Sequence, residues 1–212
     1  MSAQAANHQA NKPAFVHDLL GRSDYAIIGD IVAPGTRVLD LGCGEGELLE
    51  WLVANKGVKA RGVEKSSARV QRAIARGVSV FQGDIDGGLA DYPDQTFDYV
   101  ILSQTLQETV YPREVLREML RVGKRAIVAF PNFGHWRVRL SMLTSGRAPR
   151  TRIFPYAWYE SPNNHFLTVF DFEELATLEG LKVERRYCLA GRHKVTLLPN
   201  LMAEVAVFLV TR

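Results

Sequence analysis

The sequence predicts an α/β fold: a mostly parallel sheet covered by helices on both faces and closed at one edge by an antiparallel pair. Two patterns carry the prediction. Strand-like runs at 37–41, 59–64, 78–82, 97–102 and 125–130 are separated, where the spacing permits, by segments with helical apolar periodicity. That alternation requires right-handed crossovers and therefore parallel strands. The last two strand-like runs, 182–188 and 203–210, follow one another with no helix between them, which predicts an antiparallel pair. With 212 residues, 47% of them hydrophobic and 23% charged, the chain is long enough for one well-buried core.

Taken in order, residues 1–12 are rich in Ala, Asn and Gln without periodicity and are expected to be a disordered tail, leaving 13–212 as a single domain. Ser23 is the expected cap of a helix with Tyr25, Ile28, Ile31 and Val32 on one face, ended by Pro34-Gly35. The first strand runs into a glycine-rich turn, after which Leu48, Leu49 and Leu52 resume helical spacing. Ser66 is expected to cap a helix through Arg76, with Gly77 as its stop. Pro112 opens a helix at its favoured first position, Val115, Leu116, Met119 and Leu120 form the inner face, and Gly123 closes it. An irregular insertion is expected from 131 to about 167. Beyond it, Asp171 with Glu174 suggests a capping box for a helix stopped by Gly180.

The turn Asp40-Leu41-Gly42-Cys43-Gly44-Glu45-Gly46 is a ligand-site signature, because glycines between a buried strand and a helix let backbone approach a ligand closely. Its spacing excludes two familiar ligands. A dinucleotide fingerprint places glycine at the sixth position, where Glu47 stands, and a phosphate loop ends in Gly-Lys-Ser/Thr, which is absent. Asp40, Glu45 and Glu47 also flank the turn where an anion would sit, so a cationic or zwitterionic ligand fits better.

The formal net charge of +3 is too mild to imply nucleic acid. Two cysteines cannot build a disulfide framework and no signal peptide is evident, so a cytoplasmic location is expected. No apolar run approaches the roughly 18–20 residues of a membrane span, and no membrane association is expected. The five histidines show no paired ligand spacing, so no metal is expected. Cys43, between two glycines and with no histidine near it in sequence, reads as a small packing residue rather than a nucleophile.

The glycine turn, the acidic end of the second strand at Gly62-Val63-Glu64, Gly83-Asp84 after the third, and the terminal antiparallel pair resemble the class I S-adenosylmethionine-dependent methyltransferases, which have a Rossmann-like fold. More specifically, the blocks 102–107, 130–139 and 155–159 resemble the MetW family of methionine biosynthesis, over roughly residues 22–190. The superfamily resemblance implies S-adenosylmethionine, or S-adenosylhomocysteine, as ligand. Gly42, Cys43, Gly44 and Gly46 would pass its methionine part, and Asp40 would supply negative charge near its ammonium or sulfonium. Glu64 would accept both ribose hydroxyls, and Asp84 with Ile85 would face the adenine. Ser103 and Gln104, ending the fourth strand, either face the methionine part or are simply a polar strand end.

Methyl transfer needs alignment and water exclusion more than fixed catalytic groups, so the sequence hides any acceptor. His135, Tyr156, Tyr159 and His165 are weak catalytic candidates, equally readable as residues that order the insertion. Where many small-molecule methyltransferases carry a histidine after the fourth strand, this chain has Gln107-Glu108. Between Phe133 and Asn164 lie five arginines against one acid, Glu160, interleaved with aromatics, a composition that suits docking more than a nucleic-acid face. The MetW resemblance implies a partner and activator role toward a homoserine O-acyltransferase, acetyl or succinyl, through Trp136, Arg137, Arg139, Tyr156 and Trp158. The alternative is a methyltransferase acting on a small metabolite.

Overall fold

The computed structural model describes residues 22–212; the tail expected at 1–12 lies outside them. Helix α1 (Ser23–Ile31) leads into β1 (Arg37–Leu41), α2 (Glu47–Lys56), β2 (Lys59–Glu64), α3 (Ser67–Ala75) and β3 (Val80–Gln82). Then come β4 (Phe97–Ser103), α4 (Pro112–Val122), β5 (Gly123–Pro131), α5 (Trp136–Ser145) and α6 (Val169–Leu178), followed by β6 (Lys182–Ala190), β7 (His193–Lys194), the short α7 (Pro199–Met202) and β8 (Val205–Thr211). They form one sheet of order β3-β2-β1-β4-β5-β8-β6-β7. β1 to β5 are parallel, while β8 runs antiparallel to both β5 and β6. The expected edge pair is present, with β8 wedged between β5 and β6.

The central strands are buried on both faces, and successive residues supply opposite layers. Leu39, Leu41, Val100, Leu102 and Val128 face α4 and α6. Val38, Ile101, Ile127 and Val207 face α1 and α2, where Ile28, Leu49 and Leu52 meet them. Phe130, Phe172 and Phe208 join the sheet to α6, with ring centroids 4.6–5.9 Å apart. Strand order reverses between β1 and β4, which opens a crevice at their carboxyl ends, the place where open parallel sheets bind ligands.

Local details depart from expectation. Ser23 is the first residue of α1, not its cap; Arg22 precedes it in extended conformation. Ser66 stands at the cap position of α3 but its hydroxyl makes no capping bond; its backbone N–H donates instead to Glu64 Oε1 at 2.8 Å. The capping box of α6 is Thr168 with Asp171, not Asp171 with Glu174: Asp171 N donates to Thr168 Oγ1 and Thr168 N to Asp171 Oδ2 at 2.8 Å. The insertion is not irregular throughout, because α5 occupies ten of its residues and starts on His135, whose Nδ1 accepts from Arg137 N. Among the described residues no helix is long and apolar enough to cross a membrane.

Candidate functional site

The glycine turn is held against β2 by backbone: Gly42 N and Cys43 N both donate to Val63 O, at 2.8 and 3.1 Å. Gly42 sits at φ +71°, and a Cβ there would meet Thr105 Oγ1 at 2.7 Å, so the turn closes directly onto the residues after β4. Gly44, at φ +59°, has open space where its Cβ would be, and its N–H donates to Glu64 Oε2 at 3.0 Å. Only glycine meets both demands without backbone strain. Glu64 thus uses one oxygen on Gly44 and the other on Ser66, clamping the end of β2 to the turn.

A cleft opens at this junction. Gly42, Glu64, Asp84 and Ile85 line it, faced by Thr105 and Glu108 across the reversal in strand order. Lys65 and Arg69 supply its cationic groups. The Asp84 carboxylate accepts from Lys65 Nζ at 2.7 Å and from Asp86 N at 3.1 Å, and the bond from Lys65 pulls its pKa below the usual range. Burial pushes the Glu108 carboxyl up.

Asp40, in β1 two residues before Gly42, is 4% exposed and lines neither cleft, and its carboxyl accepts no hydrogen bond among the described residues. Burial raises its pKa to about 7, while Arg22 opposes the rise and Asp24 and Glu64 add to it. A buried carboxylate without a donor is costly unless something cationic faces it. Beyond Asp40 a second cleft is lined by Arg22, Asp24, Gln104, Arg152 and Glu204 among others. Ser103 turns toward α1: its hydroxyl donates to Asp24 Oδ2 at 2.5 Å and accepts from Arg22 Nη2 at 3.0 Å. Gln104 takes φ +58°, uncommon for a residue with a Cβ, and donates its N–H to Ala129 O.

Of the residues expected at a cofactor, Gly42, Glu64, Asp84 and Ile85 come together in the first cleft, and Gly44 joins them through Glu64. Cys43 packs inward over Gly62, where a Cβ would meet its sulfur at 2.4 Å. Burial drives the Cys43 thiol far above its ordinary pKa, which leaves it inert. Gly46 packs toward Ala73 of α3, and Ser103 and Gln104 belong to the second cleft's side. Sequence reading missed Thr105, Lys65 and Arg69 in the first cleft and Arg22 in the second. Lys65 directly follows Glu64 and was findable; the contact of Thr105 with Gly42 depends on register between β1 and β4.

The four catalytic candidates do not converge on the first cleft. His135 is 3% exposed, caps α5, and has its pKa lowered by burial. Tyr156 and Tyr159 are exposed on the insertion. His165 donates its backbone N–H to Gln107 O at 3.0 Å, and its Nε2 is buried without a partner among the described residues. Several insertion arginines do structural work: Arg139 donates to Gly134 O, Arg150 to Pro155 O, and Arg152 pairs with Glu204. Arg137 lies over the Trp136 ring at 5.2 Å, and Trp158, 77% exposed, stands edge-on to Tyr159.

Sheet order and antiparallel closing strand together define a Rossmann-like fold of the class I S-adenosylmethionine-dependent methyltransferase type. Such a methyltransferase from Mesorhizobium loti superposes with a TM-score of 0.67 at 18% identity, over 91% of this chain and 99% of that one. A chain from the complex of the Haloferax volcanii Trm112 methyltransferase activator and a putative methyltransferase gives 0.63 at 19% identity, over 85% and 83%. At these identities the likeness is one of fold. The chain belongs to the family of methionine biosynthesis proteins MetW, whose model matches residues 22–210. It is 37% identical over 172 residues to the bifunctional methionine biosynthesis protein MetXA/MetW of Rhodopirellula baltica, covering 77% of this chain but 28% of that relative's length.

Proposed function

We propose that this protein binds S-adenosylmethionine, or S-adenosylhomocysteine, in the first cleft and acts in methionine biosynthesis as a partner and activator of a homoserine O-acyltransferase. The chemistry of the cleft suits the ligand. Asp40 does not line the cleft itself but is a buried carboxyl two residues before Gly42, without a donor among the described residues, and its charge would suit an ammonium or sulfonium nearby. Each Glu64 oxygen has a second lone pair beyond its bond to backbone, enough to accept from two ribose hydroxyls. Asp84 can exchange its exposed partner Lys65 for an adenine amino group, with Ile85 as apolar wall. Bound there, S-adenosylmethionine would supply an electrophilic methyl group on its sulfonium sulfur.

The partner reading rests on one observation: in the Rhodopirellula baltica relative, MetXA and MetW are parts of one bifunctional protein. Parts fused in one chain are held at high effective concentration, which favours association of their separate counterparts. Trp136, Arg137, Arg139, Tyr156 and Trp158 supply the exposed aromatic and cationic groups that interfaces use as anchors. Two buried free thiols are in keeping with a reducing cytoplasm.

The test is co-purification of untagged acyltransferase from cell extract, followed by its activity with and without this protein and with S-adenosylmethionine added. Unchanged activity in both comparisons sinks the reading. Transfer of labelled methyl to a metabolite, lost in Glu64→Ala, would replace it with the methyltransferase alternative.

A further inference from the structure

The short turn after β4 is shared between the cleft and the aromatic insertion. On one side Thr105, Glu108 and Thr109 line the cleft. On the other, Gln107 O accepts from Asn164 N at 2.8 Å and from His165 N at 3.0 Å, and Asn164 Nδ2 donates to Glu108 O at 2.7 Å. The turn itself is stiff. Glu108 N bonds to Thr105 O, Thr109 Oγ1 to Leu106 O, and Gln107 Nε2 to Gln104 O, so a push on its cleft side moves the whole turn.

The insertion has a second anchor at the end of β5. Phe133 N donates to Leu167 O at 3.0 Å, and the rings of Phe133, Phe154 and Phe166 cluster with centroids 4.6–6.4 Å apart. Between the anchors the segment carries Trp158 and Tyr159 outward. At the first anchor two buried atoms lack partners among the described residues, Gln107 Oε1 and His165 Nε2. An amide oxygen and an imidazole N–H are a complementary acceptor and donor, so an arrangement that paired them would remove two desolvation penalties at once. The paired arrangement would be the second state that a switch requires.

Resting on the cofactor reading above, we propose that residues 154–167 form a strap whose position, and with it the docking surface around Trp158, is set by occupancy of the cleft through the Gln107–Asn164–His165 joint. A ligand touching Thr105 and Glu108 favours one arrangement of the joint by its differential affinity for the two, and shifts the strap by no more than that. The acyltransferase would thus meet a surface that reports the level of a compound derived from methionine, the end product of its own pathway.

Hydrogen exchange with S-adenosylhomocysteine as probe tests this on the full chain. In the wild type, bound ligand is expected to change exchange severalfold both at 103–110 and at 154–167. Asn164→Ala removes the exposed side-chain bond to Glu108 O, and is expected to keep ligand affinity and the response at 103–110 while losing the response at 154–167. His165→Ala should do the same, which guards against a peculiarity of either variant. A wild-type response confined to 103–110 overturns the strap while leaving the cofactor reading intact. A strap response that survives in both variants overturns the joint as its route. Absence of binding and of any response at 103–110 overturns the cofactor reading, and the strap with it.

Discussion

Glu64→Ala separates what this carboxylate does for the fold from what it does for a ligand. Glu64 is 6% exposed and accepts from Gly44 N at 3.0 Å and Ser66 N at 2.8 Å. Hydrogen bonds to a charged acceptor contribute about 1.5–3 kcal/mol each. Glu64 borders the cleft, so water can reach the two freed N–H groups and the lower end applies, for a combined cost of about 3 kcal/mol. For a domain of this length each kcal/mol lowers Tm by about 2–4 °C, which makes the expected fall roughly 6–12 °C. Glu64→Gln keeps one acceptor oxygen and turns an NH2 toward the other donor, so it should fall between wild type and Ala. Thermal unfolding measures the first effect, and calorimetric titration with S-adenosylhomocysteine, run well below both transitions, measures the second. A Tm for Glu64→Ala within about 2 °C of wild type would refute the clamp. Full ligand affinity in a destabilised variant would leave the clamp and remove Glu64 from the ligand site.

Burial holds Asp40 protonated up to about pH 7, against 3.8 for the free side chain, so between those values the native state binds a proton that the unfolded chain has released. Stability contributed by this group is therefore expected to fall as pH rises from about 4 through about 7, and Asp40→Asn should flatten that slope in denaturant titrations at stepped pH. A cationic ligand favours the ionised form, so binding near pH 6 should release protons, read from the dependence of binding enthalpy on buffer. Gly62→Ala would place a Cβ 2.4 Å from Cys43 Sγ and 3.2 Å from Leu49 Cδ1, an overpacking expected to cost about 1–3 kcal/mol. Cys43→Ala in the same chain should restore part of it, measured by urea unfolding. Trp158→Ala with Arg137→Ala is expected to leave Tm within about 2 °C, since both side chains are exposed, while weakening capture of the acyltransferase by tenfold or more on the order of a hot-spot loss.

Most elements were legible because their signals are local. The apolar runs of β1, β4 and β5, Pro112 opening α4, and Gly77 after its helix each depend on residues a few positions apart. Capping was less legible. The box formed on Thr168 and Asp171, one turn before the pair expected from Asp171 and Glu174, and next to it Val169 N donates to Asn200 Oδ1 of the distant α7 at 3.1 Å. α5 was missed because it buries only Val138 and so shows no apolar stripe. The superfamily resemblance pointed to Glu64 and Asp84, and both line the first cleft, whereas Ser103 went to Asp24 of α1, a partner 79 residues away that no local pattern announces.

The sequence alone determined the α/β class, the parallel order of alternation and the presence of a glycine turn at 40–46, since periodicity and glycine placement act within a few residues of themselves. The tertiary structure decided what that turn faces. Placing β4 beside β1 brought Thr105 against Gly42, wedging β8 between β5 and β6 put Glu204 against Arg152, and the turn after β4 tied the cleft to the aromatic strap. These contacts come from sheet register and long-range packing, where a side chain's partner is chosen by which strands meet rather than by its neighbours in the chain.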